Sequence, residues 1–182
     1  VHASVSDDPG APELEVTQGI VEFQQVSFGY LDDRTILKDV SFTIQPGKTL
    51  AVVGSSGAGK STLSRLLFRF YDVDAGCIKI DGQDIRRVAQ KSLRSHIGIV
   101  PQDTVLFNDS IGYNIRYGNP SSDDEAVKKA ARISSIHDFI ERLPMGYETP
   151  VGERGLKISG GEKQRVAIAR VILKSPQILL FD

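Results

Sequence analysis

The chain has 182 residues, 40% hydrophobic and 25% charged, with a net charge of −1, which is the balance of a globular domain large enough for a real core. So small a net charge gives no basic footprint for nucleic acid, and no apolar run is long enough to span a bilayer. The lone cysteine, Cys77, excludes an internal disulfide and reads as a strand position within "CIKI", while His2, His96 and His137 lack metal-ligand spacing.

Residues 1–19 contain "SDDPGAPELE", acidic and rich in proline and glycine, the composition of a linker. The runs "IVEFQQVSFGY" and "ILKDVSFTI", separated by "LDDRT", predict two antiparallel strands. "TLAVVG" predicts another strand, and it leads directly into "GSSGAGKST", Gly54–Thr62. That stretch fits G-x-x-x-x-G-K-[ST], the phosphate loop. Its glycines let backbone N–H groups converge on an anion, and a helix starting near Lys60 adds the positive end of its dipole. The candidate nucleotide contacts are Gly54, Ser55, Ser56, Gly57, Ala58, Gly59, Lys60, Ser61 and Thr62. Lys60 reaches the outer phosphates and the Ser61 hydroxyl is placed to ligate Mg²⁺.

A helix follows through "STLSRLLFRF", then a strand with an Asp-Gly turn in "CIKIDGQDI" and a short strand in "IGIVP". From Asn108 to Leu143 the pattern is helical, with Ser122 and Glu125 spaced as a capping box whose acids suit a helix N-terminus. "ISGGEKQRVAIARVILK" carries a second capping box, Ser159 with Glu162, which starts a helix at Gly160. Gly160 and Gly161 are poor helix formers, but bare glycines at a helix start admit an anion closely. The final "QILLFD" predicts a buried strand that presents Asp182. The absence of an initiating methionine and the stop directly after an apolar run lead us to expect a piece of a longer chain. An α/β core with an inserted helical block fits this order of elements.

"SGGEKQRVAIAR" downstream of a phosphate loop resembles the signature sequence of ATP-binding-cassette (ABC) ATPases. "QILLFD" resembles the family's Walker B strand, Gln102 in "IVPQDTVLF" its Q-loop, and Tyr30 in "FGYLDDRTIL" the aromatic A-loop that stacks on adenine. "TPVGERG" resembles the X-loop of exporter-type cassettes, in which Glu153 couples to membrane domains. Ile158 departs from the usual leucine by a similar apolar volume. Several stretches, among them "LLFRFYDVDAGCIKIDGQDI", resemble the half-size exporters of mitochondria and related membranes, the branch of porphyrins and heavy-metal tolerance.

The resemblance implies a phosphate-loop NTPase core of ABC type, with an antiparallel β subdomain and a helical subdomain over about residues 103–158, truncated at its C-terminus. Residues 1–19 would link it to a missing membrane domain, and 20–182 would be a partial nucleotide-binding domain. It implies ATP and Mg²⁺ as ligands, with Lys60, Gln102 and Asp182 catalytic and Ser61, Gln102 and Asp182 at the metal. Two copies would pair head to tail, with Ser159, Gly160, Gly161 and Glu162 of one covering ATP held by the other. The expected protein is a membrane-attached exporter, its cassette in the cytosol or mitochondrial matrix, with no nucleic-acid partner. A soluble ABC ATPase acting on DNA or ribosomes is the alternative. A phosphate-loop kinase or GTPase lacks the S-G-G-E helix. The catalytic glutamate, D-loop and switch histidine of the family would lie beyond Asp182, so the piece alone is expected to be inactive.

Overall fold

The computed structural model describes residues 5–31, 34–55, 57 and 59–181. The chain divides into two compact units, Val1–Ile97 and Gly98–Asp182. Among the described residues no helix is long and apolar enough to cross a membrane.

The first unit is built on strands β1 (Val21–Phe28), β2 (Leu37–Ile44), β3 (Ala75–Ile80) and β4 (Gln83–Asp84), in the order β2-β1-β3-β4. Every neighbouring pair is antiparallel, as the two β-branched runs predict for β1 and β2. β1 buries Val21 and Phe23, then Val26 and Phe28. The change of parity is made by a bulge at Gln24–Gln25, where Gln25 takes φ 49°. Across it stands Gly76, where a Cβ would come within 2.3 Å of the Gln24 carbonyl oxygen, so the bulge demands a glycine in β3. Cys77 lies half-buried in β3 and its thiol reaches Gln24 Oε1 at 3.3 Å.

Helices α1 (Lys60–Leu67) and α2 (Gln90–Ser95) pack Leu66, Leu67 and Leu93 into this unit. The chain leaves α1 through Arg69, a non-glycine residue in the left-handed region at φ 52°. Arg69 N–H donates to Leu66 O and Phe70 N–H to Arg65 O, the paired bonds of a Schellman ending that glycine would normally make. An arginine stands there because its guanidinium is buried among partners. It donates to Asp7, Asp72, the Val88 carbonyl and the Ser6 carbonyl at 3.1–3.2 Å.

The acidic N-terminal stretch is therefore seated on the unit along its described length, although its composition is that of a linker. Asp7 binds Arg69 and the Gln90 amide, Leu14 is buried, and the amides of Thr17, Gln18, Gly19 and Ile20 all donate to the Asp81 carboxylate at 2.7–3.0 Å. Asp81 sits in the Asp-Gly turn between β3 and β4, at φ 48°, where its side chain can gather successive N–H groups.

"TLAVVG" does not form the predicted strand. Residues 49–54 pair with no strand among the described residues, and Leu50, Val52 and Val53 are exposed. β-Branched propensity proposes a strand, but only a partner ladder makes one.

The second unit contains all but the first residue of β5 (Ile97–Val100), with α3 (Ile111–Arg116), α4 (Asp124–Ile133), α5 (His137–Glu141), α6 (Gly160–Lys174) and β6 (Ile178–Phe181). β5 pairs with β6, and the helices close over a core that includes Ile111, Ile115, Val127, Ile136, Ile140 and Val166. α4 is capped by Asp123, whose side chain accepts from Ala126 N–H at 2.8 Å, and not by the expected Ser122. The Ser122 N–H is committed to the preceding turn through Asn119 O, and aspartate caps as well as serine. β6 buries Ile178 but leaves Leu179 and Phe181 exposed, since β5 is its one neighbour among the described strands. It is less buried than its four apolar residues predict.

The Asp81 clasp gives a direct test. Burial works to raise the Asp81 pKa, but the N–H donors of Gly19, Gln18, Ile20 and Thr17 together outweigh it and lower it from 3.8 to about 2. A depressed folded pKa means the clasp is complete above the ordinary carboxylate range and is lost as pH falls through about 2. Asp81→Asn tolerates the same backbone conformation and should lower hydrogen-exchange protection at the amides of residues 17–20 about ten-fold at neutral pH. It should also remove the acid-dependent step. Unchanged protection would show that the carboxylate charge does not hold the segment.

Candidate functional site

In the first unit, α1 begins at Lys60 behind Gly59, which has φ 88° and makes no side-chain capping bond. A Cβ on Gly59 would fall 2.9 Å from Leu37 Cδ2 and 3.1 Å from Ile36 Cγ2. Glycine is thus required by both backbone and packing. The first turn holds no acidic residue, so nothing in it offsets the positive end of the helix dipole. The Lys60 ammonium donates to the carbonyls of Gly54 and Ser55, 2.8 Å each, and the loop curls around its own cation. Gly54, Ser55, Gly57 and Ser61 are exposed, while Thr62 is buried. Ser56 and Ala58 lie outside the described residues.

Tyr30 is joined to the same helix. Its hydroxyl lies 3.3 Å from Thr62 Oγ1 and accepts from Arg65 Nη1 at 3.0 Å. Its ring meets Phe28 and Tyr71 edge-on, with centroids 5.1 and 5.2 Å away. Tyr30 therefore has the contacts of a core aromatic at the end of β1 and a polar link to the phosphate-loop helix as well. The spacing of the sequence hides that link, because Arg65 lies on an exposed helix face with no motif around it.

In the second unit, Gln102 is exposed two residues beyond β5. Ser159 caps α6 as expected. Its hydroxyl accepts from Glu162 N–H at 3.3 Å and its own N–H donates to Glu162 Oε2 at 2.7 Å, completing the capping box. Ser159, Gly160 and Gly161 are exposed. A Cβ on either glycine would meet nothing within 4 Å, so no contact in the described chain excludes a larger residue there. Asp182 lies outside the described residues.

The "TPVGERG" stretch is tied down by Val151 N–H to Asp109 O, Leu156 N–H to Pro150 O and Arg154 N–H to Asn108 Oδ1, and it leaves Glu153 exposed. The sequence reading missed Asn114. It is fully buried in α3 and brackets Phe107, accepting from its N–H at 2.8 Å and donating to its carbonyl at 3.1 Å. Arg170 of α6 donates to the Asn114 carbonyl and Oδ1, and its guanidinium lies over the rings of Phe107 and Tyr117. Burial lowers the Arg170 pKa. The signal was present, since Asn114 falls between Ile111 and Ile115 on the apolar stripe of a short helix.

Among the described residues no group of histidine, cysteine, aspartate and glutamate could hold a metal alone. Ser61 and Gln102 each carry a side-chain oxygen, the donor type that suits Mg²⁺.

Residues 37–182 match the ABC transporter family. ATP-binding cassette sub-family B member 6 of Rattus norvegicus is 64% identical over 178 residues, 98% of this chain and 21% of the relative. The ATM1-type heavy metal exporter of Novosphingobium aromaticivorans is 60% identical over 100% of this chain and 30% of its own length. The heavy metal tolerance protein of Schizosaccharomyces pombe is 57% identical over 98% of this chain and 22% of its own. A solved bacterial Atm1-family ABC exporter with ATP bound superposes with a TM-score of 0.95 at 60% identity, over 100% of this chain and 32% of that one. The chain thus spans about a fifth to a third of the length of these proteins. With a glycine-built phosphate loop in one unit and an S-G-G-E helix start in the other, the chain belongs to the ABC transporter family, and its fold is that of the family's ATPase.

Proposed function

We propose that this chain is the ATP-binding and ATP-hydrolysing cassette of a half-size exporter, acting as a pair of identical copies attached to membrane-spanning helices of the same polypeptide. The two exposed glycines that open α6 carry the reading. They make a second anion-receptive helix start, and they answer no contact within the described chain. A phosphate presented by another copy accounts for them.

In this reading Lys60 and the uncapped start of α1 hold the outer phosphates, and Tyr30 stacks on the base. Ser61, Gln102 and Asp182 would hold Mg²⁺, which when bound would neutralise phosphate charge. Ser159, Gly160, Gly161 and Glu162 of one copy close over the nucleotide bound to the other. Cleavage removes the shared ligand, and the copies separate because the closed pair has lost its differential affinity. Glu153 in its exposed loop faces the membrane domain, and residues 1–19 lead to it. The cassette lies on the cytosolic or matrix side of its membrane. The exporter names of the relatives, the ATP in the Atm1-family structure and the "VGERG" loop support this reading over a soluble ATPase on DNA or ribosomes.

Lys60→Ala in the full-length exporter should lower ATP turnover by about a hundred-fold or more. Near wild-type turnover would refute the phosphate-loop assignment. Ser159→Arg should leave nucleotide binding to each copy largely intact and abolish ATP-dependent pairing, because a bulky side chain occupies the ground the partner's phosphate needs. Cross-linking of the two copies with a non-hydrolysable ATP analogue reads this directly, and an unchanged closed pair would count against the shared site.

A further inference from the structure

We infer that Arg65 is a positioning residue for the nucleotide base: it fixes the ring of Tyr30 relative to the phosphate loop and so sets the base-dependent part of ATP affinity. The inference rests on the proposed base-stacking role of Tyr30. Arg65 lies on α1, one turn beyond Thr62. Its Nη1 donates to the Tyr30 hydroxyl at 3.0 Å, and its guanidinium carbon lies 5.8 Å from the ring centroid, within cation–π range. Thr62 Oγ1 touches the same hydroxyl at 3.3 Å. One helix therefore carries the phosphate-binding Lys60 and Ser61 at its start and, along its length, the two groups that hold Tyr30.

A stacking ring adds affinity in proportion to how little freedom it loses on binding. Phe28 and Tyr71 pack against the Tyr30 ring at near right angles, and Thr62 and Arg65 hold its polar tip. The distance from ring to phosphate loop is thereby set before the nucleotide arrives. The competing account of Arg65 is a cation in the last turn of α1 that complements the helix dipole. That role affects the stability of α1 and treats every phosphate ligand alike.

The ratio of ATP affinity to inorganic tripolyphosphate affinity separates the two. Both ligands present a triphosphate chain, but only ATP has a base, and tripolyphosphate carries the greater charge. Calorimetric titration of the full-length exporter without Mg²⁺ measures both ligands free of hydrolysis. Arg65→Ala should weaken ATP about three- to ten-fold and leave tripolyphosphate unchanged. Arg65→Lys, which keeps the charge but loses the planar fork, should restore the ratio only in part. Tyr30→Phe should lower the ratio similarly, and the double variant should fall well short of the product of the two single effects.

An unchanged ratio in Arg65→Ala, or an equal loss of both ligands, overturns the inference. So does an undiminished Arg65→Ala effect in the Tyr30→Phe background, which would put Arg65 on the base itself. Tyr30→Ala is the control for the underlying reading. If it lowers the ratio while Arg65→Ala does not, base stacking stands and the role of Arg65 is lost. If it leaves the ratio unchanged, the stacking role falls and the inference with it.

Discussion

The role proposed for α1 is to receive an anion at its N-terminus, and a helix with that role must leave the terminus open. Capping groups and acidic side chains normally satisfy the first N–H groups and offset the dipole, and α1 has neither in its first turn. Stabilisation of α1 has to come from elsewhere. Leu66 and Leu67 bury its inner face. Arg94 donates to the carbonyls of Phe68 and Arg69, just beyond its far end, and so supplies the dipole's negative end with a cation. Arg69 closes the helix in a conformation that favours glycine, because four partners require its guanidinium. The open end and the tightly held end are two sides of one requirement.

The N-terminal stretch takes its place from that arrangement. Asp7 is a partner of Arg69, so a segment whose composition reads as a solvated linker is bound to the far end of the phosphate-loop helix. The Asp81 clasp holds its other end. Neither contact was legible in the sequence. Asp81 is separated from its four amides by more than 60 residues, and an arginine in a left-handed position leaves no local signature. The motifs that were legible are those whose chemistry lies within a few consecutive residues. The glycines and lysine of the phosphate loop are one case, and the Ser159–Glu162 capping box is another. Each bond of that box spans three residues, and local pattern specified it fully.

Strand prediction separated along the same line. β1 and β2 formed where two adjacent apolar runs could pair with each other. "TLAVVG" and "QILLF" have the same local composition, yet the first stays unpaired among the described residues and the second keeps Leu179 and Phe181 exposed. A ladder depends on its neighbours, and propensity measures only how well a residue suits a place in one. Asn114 was missed for a related reason. Its amide bridges the Phe107 segment, α3 and α6, so its role becomes visible only when three separated stretches are brought together.

Three helix starts in this chain can be ordered by how far their positive ends are neutralised. α4 has an aspartate cap and two acids in its first turn, Asp124 and Glu125, and its start is closed to further anions. α1 has no cap and no acid. α6 is intermediate, with a complete capping box whose single acid, Glu162, is bonded back to the Ser159 N–H. That bond spends the carboxylate on the cap itself, while Gly160 and Gly161 leave the approach to the remaining N–H groups clear of side chains. A start that only needed closing would do better with alanine at both positions, since glycine has the larger conformational entropy to lose. The arrangement at α6 therefore holds the helix together without obstructing its end. This suits the proposed role, in which the ligand arrives on another copy, because such a site must stay rigid while empty and must not be filled by its own chain. α1 meets the opposite need, with a lysine bonded into its own loop and the restraint placed at the far end.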